Sequence, residues 1–174
     1  MTSPSDRDPR EVLLESTGMV TELLEALSGE PVDAERTRHE IVAAGADNLF
    51  NLDESHELLR RAALLRGRVT RTPYLYAESS VVCDRLPETI CAQLQNTNTP
   101  LGRALVEHGL SFRRTLLSQA RCRPMSSDEQ LLTLIRKADA NRSYLIVMED
   151  VPAVAINEWF LPAALLASHS FRRI

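Results

Sequence analysis

From Met19 the apolar residues Met19, Val20, Leu23, Leu24 and Leu27 return every three or four positions, the spacing of one buried helix face. Gly29 and Pro31 stop that helix. Residues 32–41 alternate weakly and read as a strand, whereas 47–57 have no period. The period then changes to two. Residues 62–68 and 74–82 are extended runs on either side of a turn at 69–73, the pattern of an antiparallel hairpin. Pro87 opens a short helix carrying Ile90, Cys91 and Leu94. Pro100 opens another, with Leu101, Leu105 and Val106 inward and Gly109 at its end. Residues 111–118 read as a strand. Ser127 and Gln130 have the spacing of a capping box before a helix with Leu131, Leu134, Ile135 and Ala138. Finally, 144–148 and 153–161 flank the turn Glu149-Asp150-Val151-Pro152, a second hairpin.

Hairpins with interspersed short helices predict an α+β fold on an antiparallel sheet of about six strands. The chain has 174 residues, which suits one core. Residues 1–15 are polar and proline-containing at their start and are expected to form a flexible tail before a single domain at 16–174. There is no internal repeat and no low-complexity segment.

Composition narrows the function classes. Apolar residues make up 44% and charged residues 25%, the balance of a soluble globular protein. The net charge of -4 leaves no excess of cations to pair with phosphates, so nucleic acid is not an expected partner. No apolar run is long enough to span a bilayer, and the N-terminus lacks the pattern of a signal peptide. Cys83, Cys91 and Cys122 are odd in number and have no metal-type spacing; they are expected as reduced thiols of a cytoplasmic protein. His39, His56, His108 and His169 are far apart in sequence, so no metal is expected.

Two charges fall on apolar strand faces. Successive strand side chains point to opposite sides. Glu158 therefore lies with Val154, Ile156 and Phe160, and Arg61 with Ala63 and Leu65, while Arg66 and Arg68 share the other face with Leu64. A charge in an apolar setting needs a partner. One solution is structural: a buried Arg61–Glu158 pair, or two strand ends that reach water. The other is a pocket, in which Arg61 grips a substrate carboxylate in a bidentate fork and Glu158 exchanges a proton. Periodicity does not separate the two.

Three segments bear on that choice: Tyr76-Ala77-Glu78-Ser79 followed by Asp84-Arg85-Leu86-Pro87; Asn98-Thr99-Pro100-Leu101-Gly102-Arg103; and Asn157-Glu158-Trp159-Phe160-Leu161-Pro162. In this order and spacing, from about Met19 to Leu161, the chain resembles the chorismate lyases, including the actinobacterial branch that makes 4-hydroxybenzoate for phenolic lipids. The resemblance implies a six-stranded antiparallel sheet whose short helices act as flaps over an internal ligand pocket. It implies a cofactor-free lyase that splits chorismate into pyruvate and 4-hydroxybenzoate; the chain is expected to be a monomer or homodimer. By the same resemblance Arg61 holds a carboxylate and Glu158 is the catalytic glutamate. Main-chain contacts to the ligand fall at Leu101, Gly102 and Val20, and Glu78 stands where the proteobacterial lyases carry an arginine. Chorismate is a dicarboxylate, so that exchange leaves a second cation to be found, with Arg66, Arg113 and Arg114 as candidates. The fold is shared with the ligand-sensing UTRA domains of GntR-type regulators. A relative recruited to another tailoring reaction, or a non-catalytic ligand-binding domain, are therefore rival readings.

Overall fold

The computed structural model describes residues 13–15, 19–46, 48–117 and 123–164. Its frame is one antiparallel sheet in the order β1-β2-β3-β6-β5-β4. The strands are β1 (Val32–Ala43), β2 (Glu57–Gly67), β3 (Pro73–Val81), β4 (Arg113–Leu116), β5 (Ala140–Met148) and β6 (Val151–Phe160). Helices α1 (Val20–Ser28), α2 (Glu88–Asn96), α3 (Leu101–Glu107) and α4 (Glu129–Ile135) connect or cover them. Both expected hairpins are present, and the sheet is the α+β architecture that the alternating runs predicted. Among the described residues no helix is long and apolar enough to cross a membrane.

One face of the sheet carries two apolar clusters. Leu59, Val81, Tyr144, Ile146 and Val154 pack with Ile90 and Leu94 of α2 and Leu105 of α3. Leu65, Leu75 and Phe160 pack with Leu24 of α1 and with Leu13. Between the large side chains of the two clusters this face carries small ones, Ala63 on β2 and Ala77 and Ser79 on β3. The opposite face is filled by Ala62, Leu64, Tyr76 and Trp159 under Leu131 and Ile135 of α4. Burying each large apolar side chain contributes about 1.5–3 kcal/mol, so these clusters fix where the helices sit.

Local details depart from the sequence reading in instructive ways. Leu13, within the segment expected as a loose tail, is fully buried, and residues 13–15 form a helical turn. Val106 is 53% exposed rather than inward. Helix α4 is capped by Asp128, whose carboxylate accepts from the backbone N–H groups of Gln130 and Leu131, not by Ser127. Cys83 and Cys91 are joined in a disulfide instead of standing as reduced thiols. A short 3-10 turn, Cys83–Arg85, followed by α2 carries Cys91 back over Cys83; Cys122 lies outside the described residues. The second hairpin turns on two residues, Glu149 and Asp150, both at positive φ (47° and 62°), the requirement of a primed turn. Val147 then pairs with Pro152 but Ile146 with Val154, so Ala153 is an extra residue in β6. Pro152 has no N–H to give the ladder, which suits it to this bulge.

Candidate active site

The gap between the two apolar clusters is a cavity of about 470 Å3. Its floor is the sheet: Arg61 and Ala63 from β2, Ala77 and Ser79 from β3, Ile156 and Glu158 from β6, Tyr144 and Ile146 from β5, and Arg114 from β4. Its roof is the start of α1, with Met19 and Val20, and the start of α3, with Leu101 and Gly102. A Cβ on Gly102 would stand 3.6 Å from Met19 Cγ, so the two helix starts meet over the space. Five of the six residues singled out in the sequence (Arg61, Glu158, Val20, Leu101 and Gly102) thus surround one cavity. The roof is made of two of the short helices that the resemblance implies as flaps.

Arg61 reaches from the floor to the loop before α3. Its Nη2 donates to the carbonyl oxygens of Thr99 at 3.0 Å and Thr97 at 3.4 Å. Its Nε is buried without a hydrogen-bond partner among the described residues. Desolvation, helped by the charge of Arg36, pulls its pKa down to about 10. It is still a cation at neutral pH.

Glu158 is 3% exposed, and its partner is not Arg61. Arg142 Nε donates to Glu158 Oε2 at 2.5 Å, and the Tyr144 hydroxyl donates to Oε1 at 3.0 Å. Arg142 lies directly opposite Glu158 in the β5–β6 ladder. Its Nη1 also donates to the carbonyl oxygens of Leu13 at 2.8 Å and Leu14 at 3.3 Å, so the buried ion pair is tied to the segment that leads into α1. Burial, with the Glu158 charge next in weight, raises the Tyr144 pKa well above the ordinary phenol value. Tyr144 is therefore a neutral donor that fixes one carboxylate oxygen.

Glu78 is the residue the structure does not bring into the cavity. It borders it through its place in β3, but pairs across the sheet with Ala62 and Asn157, on the opposite side from Arg61 and Glu158. There its Oε1 accepts from the Tyr76 hydroxyl at 2.9 Å and from the Met125 backbone N–H at 2.7 Å. The carboxylate pins the loop before α4. The period-two rule applied to β3 carries this signal, because Glu78 shares parity with Tyr76 and Ser80 rather than with Ala77 and Ser79.

Sequence reasoning also missed Arg142 and Tyr144. The strand was read as starting at 144, and a hairpin without the bulge at Ala153 would set residue 141, not 142, against Glu158. Among the described residues no three His, Cys, Asp or Glu side chains gather as a metal site.

Residues 14–168 match the family described as chorismate pyruvate-lyase Rv2949c-like. A protein of Mycobacterium leprae named chorismate pyruvate-lyase is 26% identical over 162 residues, covering 90% of this chain and 75% of its own. One of the same name from Mycobacterium tuberculosis is 26% identical over 165 residues, covering 90% and 80%. Among solved structures, the effector domain of PhnF from Mycobacterium smegmatis superposes with a TM-score of 0.53 at 16% identity, covering 85% of this chain and 91% of that one. It shares the fold.

Proposed function

This chain belongs to the chorismate pyruvate-lyase Rv2949c-like family, and on that premise we propose that it cleaves chorismate to pyruvate and 4-hydroxybenzoate without a cofactor. The observation that carries the proposal is the single cavity in which Arg61 and Glu158 face the same space under two helix starts. In the reaction the ether bond between ring C3 and the enolpyruvyl oxygen breaks, and the hydrogen leaves C4. The ring becomes aromatic, and the released enolpyruvate takes a proton to become pyruvate. No electron acceptor is needed, and aromatisation supplies the driving force. The protein has to hold the reactive conformer, exclude water and manage one proton.

Arg61, with its buried and unpartnered Nε, holds the ring carboxylate in a bidentate fork. The small floor residues Ala63 and Ala77 leave room for the ring. Glu158, its two oxygens oriented by Arg142 and Tyr144, handles the proton near C4 or the ether oxygen. The starts of α1 and α3 close over the substrate and must part to release product.

The test is direct. Purified protein incubated with chorismate should release pyruvate and 4-hydroxybenzoate in equal amounts, with EDTA having no effect. Folded protein that yields no pyruvate above background, or a different aromatic acid, would overturn the assignment.

A further inference from the structure

Chorismate carries two carboxylates, and Arg61 serves one. The enolpyruvyl ether stands on ring C3, and only C2 separates that carbon from C1, which bears the ring carboxylate. The two anionic groups therefore leave neighbouring parts of the ring. The second calls for a cation beside Arg61 rather than at the far end of the cavity. Among the described residues, the other arginines that line the space are Arg36, Arg68, Arg103 and Arg114.

Three of these are engaged. Arg68 grips Asp33 through Nε at 3.0 Å and Nη2 at 2.8 Å. Arg103 turns along α3 to Glu107, one helical turn on, at 3.3 Å. Arg114 packs over the rings of Tyr144 and Phe112 and has a further partner. It also stands on β4, at the opposite side of the sheet from Arg61. Arg66 and Arg113, which the sequence suggested, pair with Glu35 and Asp150.

Arg36 is aimed by a bulge. It pairs with Ala63, but Arg38 pairs with Ala62, so Thr37 is an extra residue in β1. In an unbroken strand the two arginines would share a face. The bulge sends them to opposite faces. Arg38 goes to the packed face, where it donates to the Met125 carbonyl oxygen at 2.6 Å and pairs with Glu40 at 2.9 Å. Arg36 goes to the cavity face with Ala63 and stands exposed at the rim. Arg61 is two residues from Ala63 on the same face. Arg36 and Arg61 are therefore diagonal neighbours on adjoining strands, about 7–8 Å apart at the backbone. They are close enough for the Arg36 charge to lower the Arg61 pKa. Two like charges at this range repel, and a ligand with two neighbouring carboxylates replaces that repulsion with two attractions.

We propose that Arg36 binds the enolpyruvyl carboxylate and makes the site selective for a ligand with two neighbouring carboxylates over a monocarboxylate. The inference rests on the reading of the cavity as the chorismate site. The buried arginine takes the carboxylate that stays on the aromatic product. The rim arginine takes the group that departs.

The test compares substrate with product in the wild type, Arg36→Met and Arg36→Lys. It uses steady-state kinetics on chorismate, calorimetric titration of 4-hydroxybenzoate, and melting temperature. 4-Hydroxybenzoate keeps the ring carboxylate and lacks the second one. Arg36→Met should lower kcat/KM for chorismate roughly ten- to thirtyfold, chiefly through KM. Its Kd for 4-hydroxybenzoate should stay within about threefold, with the melting temperature unchanged. Arg36→Lys keeps the charge without the planar fork and should recover part of the loss. Because Arg36 is exposed, added salt should raise KM for chorismate more in the wild type than in Arg36→Met. Equal loss for both ligands in Arg36→Met overturns the proposal, as does loss for neither. So does a selective loss of chorismate in Arg68→Met, Arg103→Met or Arg114→Met that Arg36→Met does not show. If the wild type releases no pyruvate, the assigned reaction fails. Chorismate then survives the titration, and its Kd replaces KM in the same comparison. If the wild type binds neither ligand, both readings fall.

Discussion

The two faces of the sheet each bury a glutamate, and each glutamate accepts a hydrogen bond from a tyrosine. Tyr144 donates to Glu158 on the cavity face and Tyr76 to Glu78 on the packed face. The likeness ends there. Glu158 faces open volume and is neutralised by Arg142. Glu78, 1% exposed, is held by neutral donors, and burial raises its pKa. Its Oε2 has no hydrogen-bond partner among the described residues. The first is a carboxylate paired with a dedicated cation at the wall of a cavity. A carboxyl wedged between a tyrosine and a loop N–H is a fastener. The burial of a carboxylate therefore says little about function until the surroundings of its oxygens are known.

The largest effect should come from breaking the cavity-face pair. Glu158→Gln keeps the shape and removes the charge, so turnover should fall roughly a hundred- to ten-thousandfold. Arg142, only 6% exposed, would then lose the charge of the carboxylate it pairs with. Stability should fall with activity, on the order of 3 kcal/mol. The double variant Glu158→Gln with Arg142→Met separates the two losses. It should recover much of the melting temperature and none of the turnover. Recovery of both would mean that the pair is structural, and that Glu158 resembles Glu78 after all.

Much of this contrast was legible in the sequence. Alternation in residues 153–161 set Glu158 with Val154, Ile156 and Phe160, and alternation after residue 60 set Arg61 with Ala63 and Leu65. In each case one face of a strand was uniform enough to expose the misfit. Arg142 was hidden because the pairing of β5 with β6 depends on a bulge at Ala153, and bulges carry no periodic signal. The facing of Glu78 was available from parity in β3, but its neighbours Tyr76 and Ser80 gave no apolar face against which to notice it. The disulfide was hidden because pairing depends on how the 3-10 turn and α2 bring Cys91 over Cys83, which the spacing of the cysteines does not report.

On the packed face the expected effect is smaller and depends on pH. Burial raises the Glu78 pKa in the folded protein above its unfolded value, so the folded state holds this proton more strongly. Between the two pKa values the folded state binds more protons than the unfolded state, and stability falls as pH rises through that window. Its contribution is complete below the ordinary glutamate pKa of 4.5 and is lost as pH climbs through the raised value. Glu78→Gln removes that slope while keeping an acceptor for Tyr76 and the Met125 N–H. The melting temperature of the variant relative to wild type should therefore be higher at pH 7 than at pH 4.5, with chorismate turnover little changed. A melting-temperature difference that is flat with pH, or a large loss of turnover, would erase the distinction between the two glutamates.

The smallest effect concerns the room that the cavity face keeps. At Gly67 an added Cβ would fall 2.0 Å from Glu30 Oε1, so the chain there is closed. At Gly102 the first neighbour is Met19 Cγ at 3.6 Å, ordinary contact with a flexible side chain. Gly102 is in the first turn of α3 and is not at positive φ, so alanine suits its backbone. Gly102→Ala should raise stability by about 0.5–1 kcal/mol through helix propensity. For a chain of this length that is a rise of about 1–4 °C in melting temperature. If the roof holds its ligand with space to spare, the affinity for 4-hydroxybenzoate should change by less than about twofold, and the product should still raise the melting temperature by linkage. Gly102→Leu would drive a branched side chain into Met19 and should loosen product binding. Should the single methyl of alanine abolish binding, the backbone at Gly102 must approach the ligand as closely as the family resemblance implies. The cavity face would then close on its ligand as tightly as the opposite face packs around Glu78.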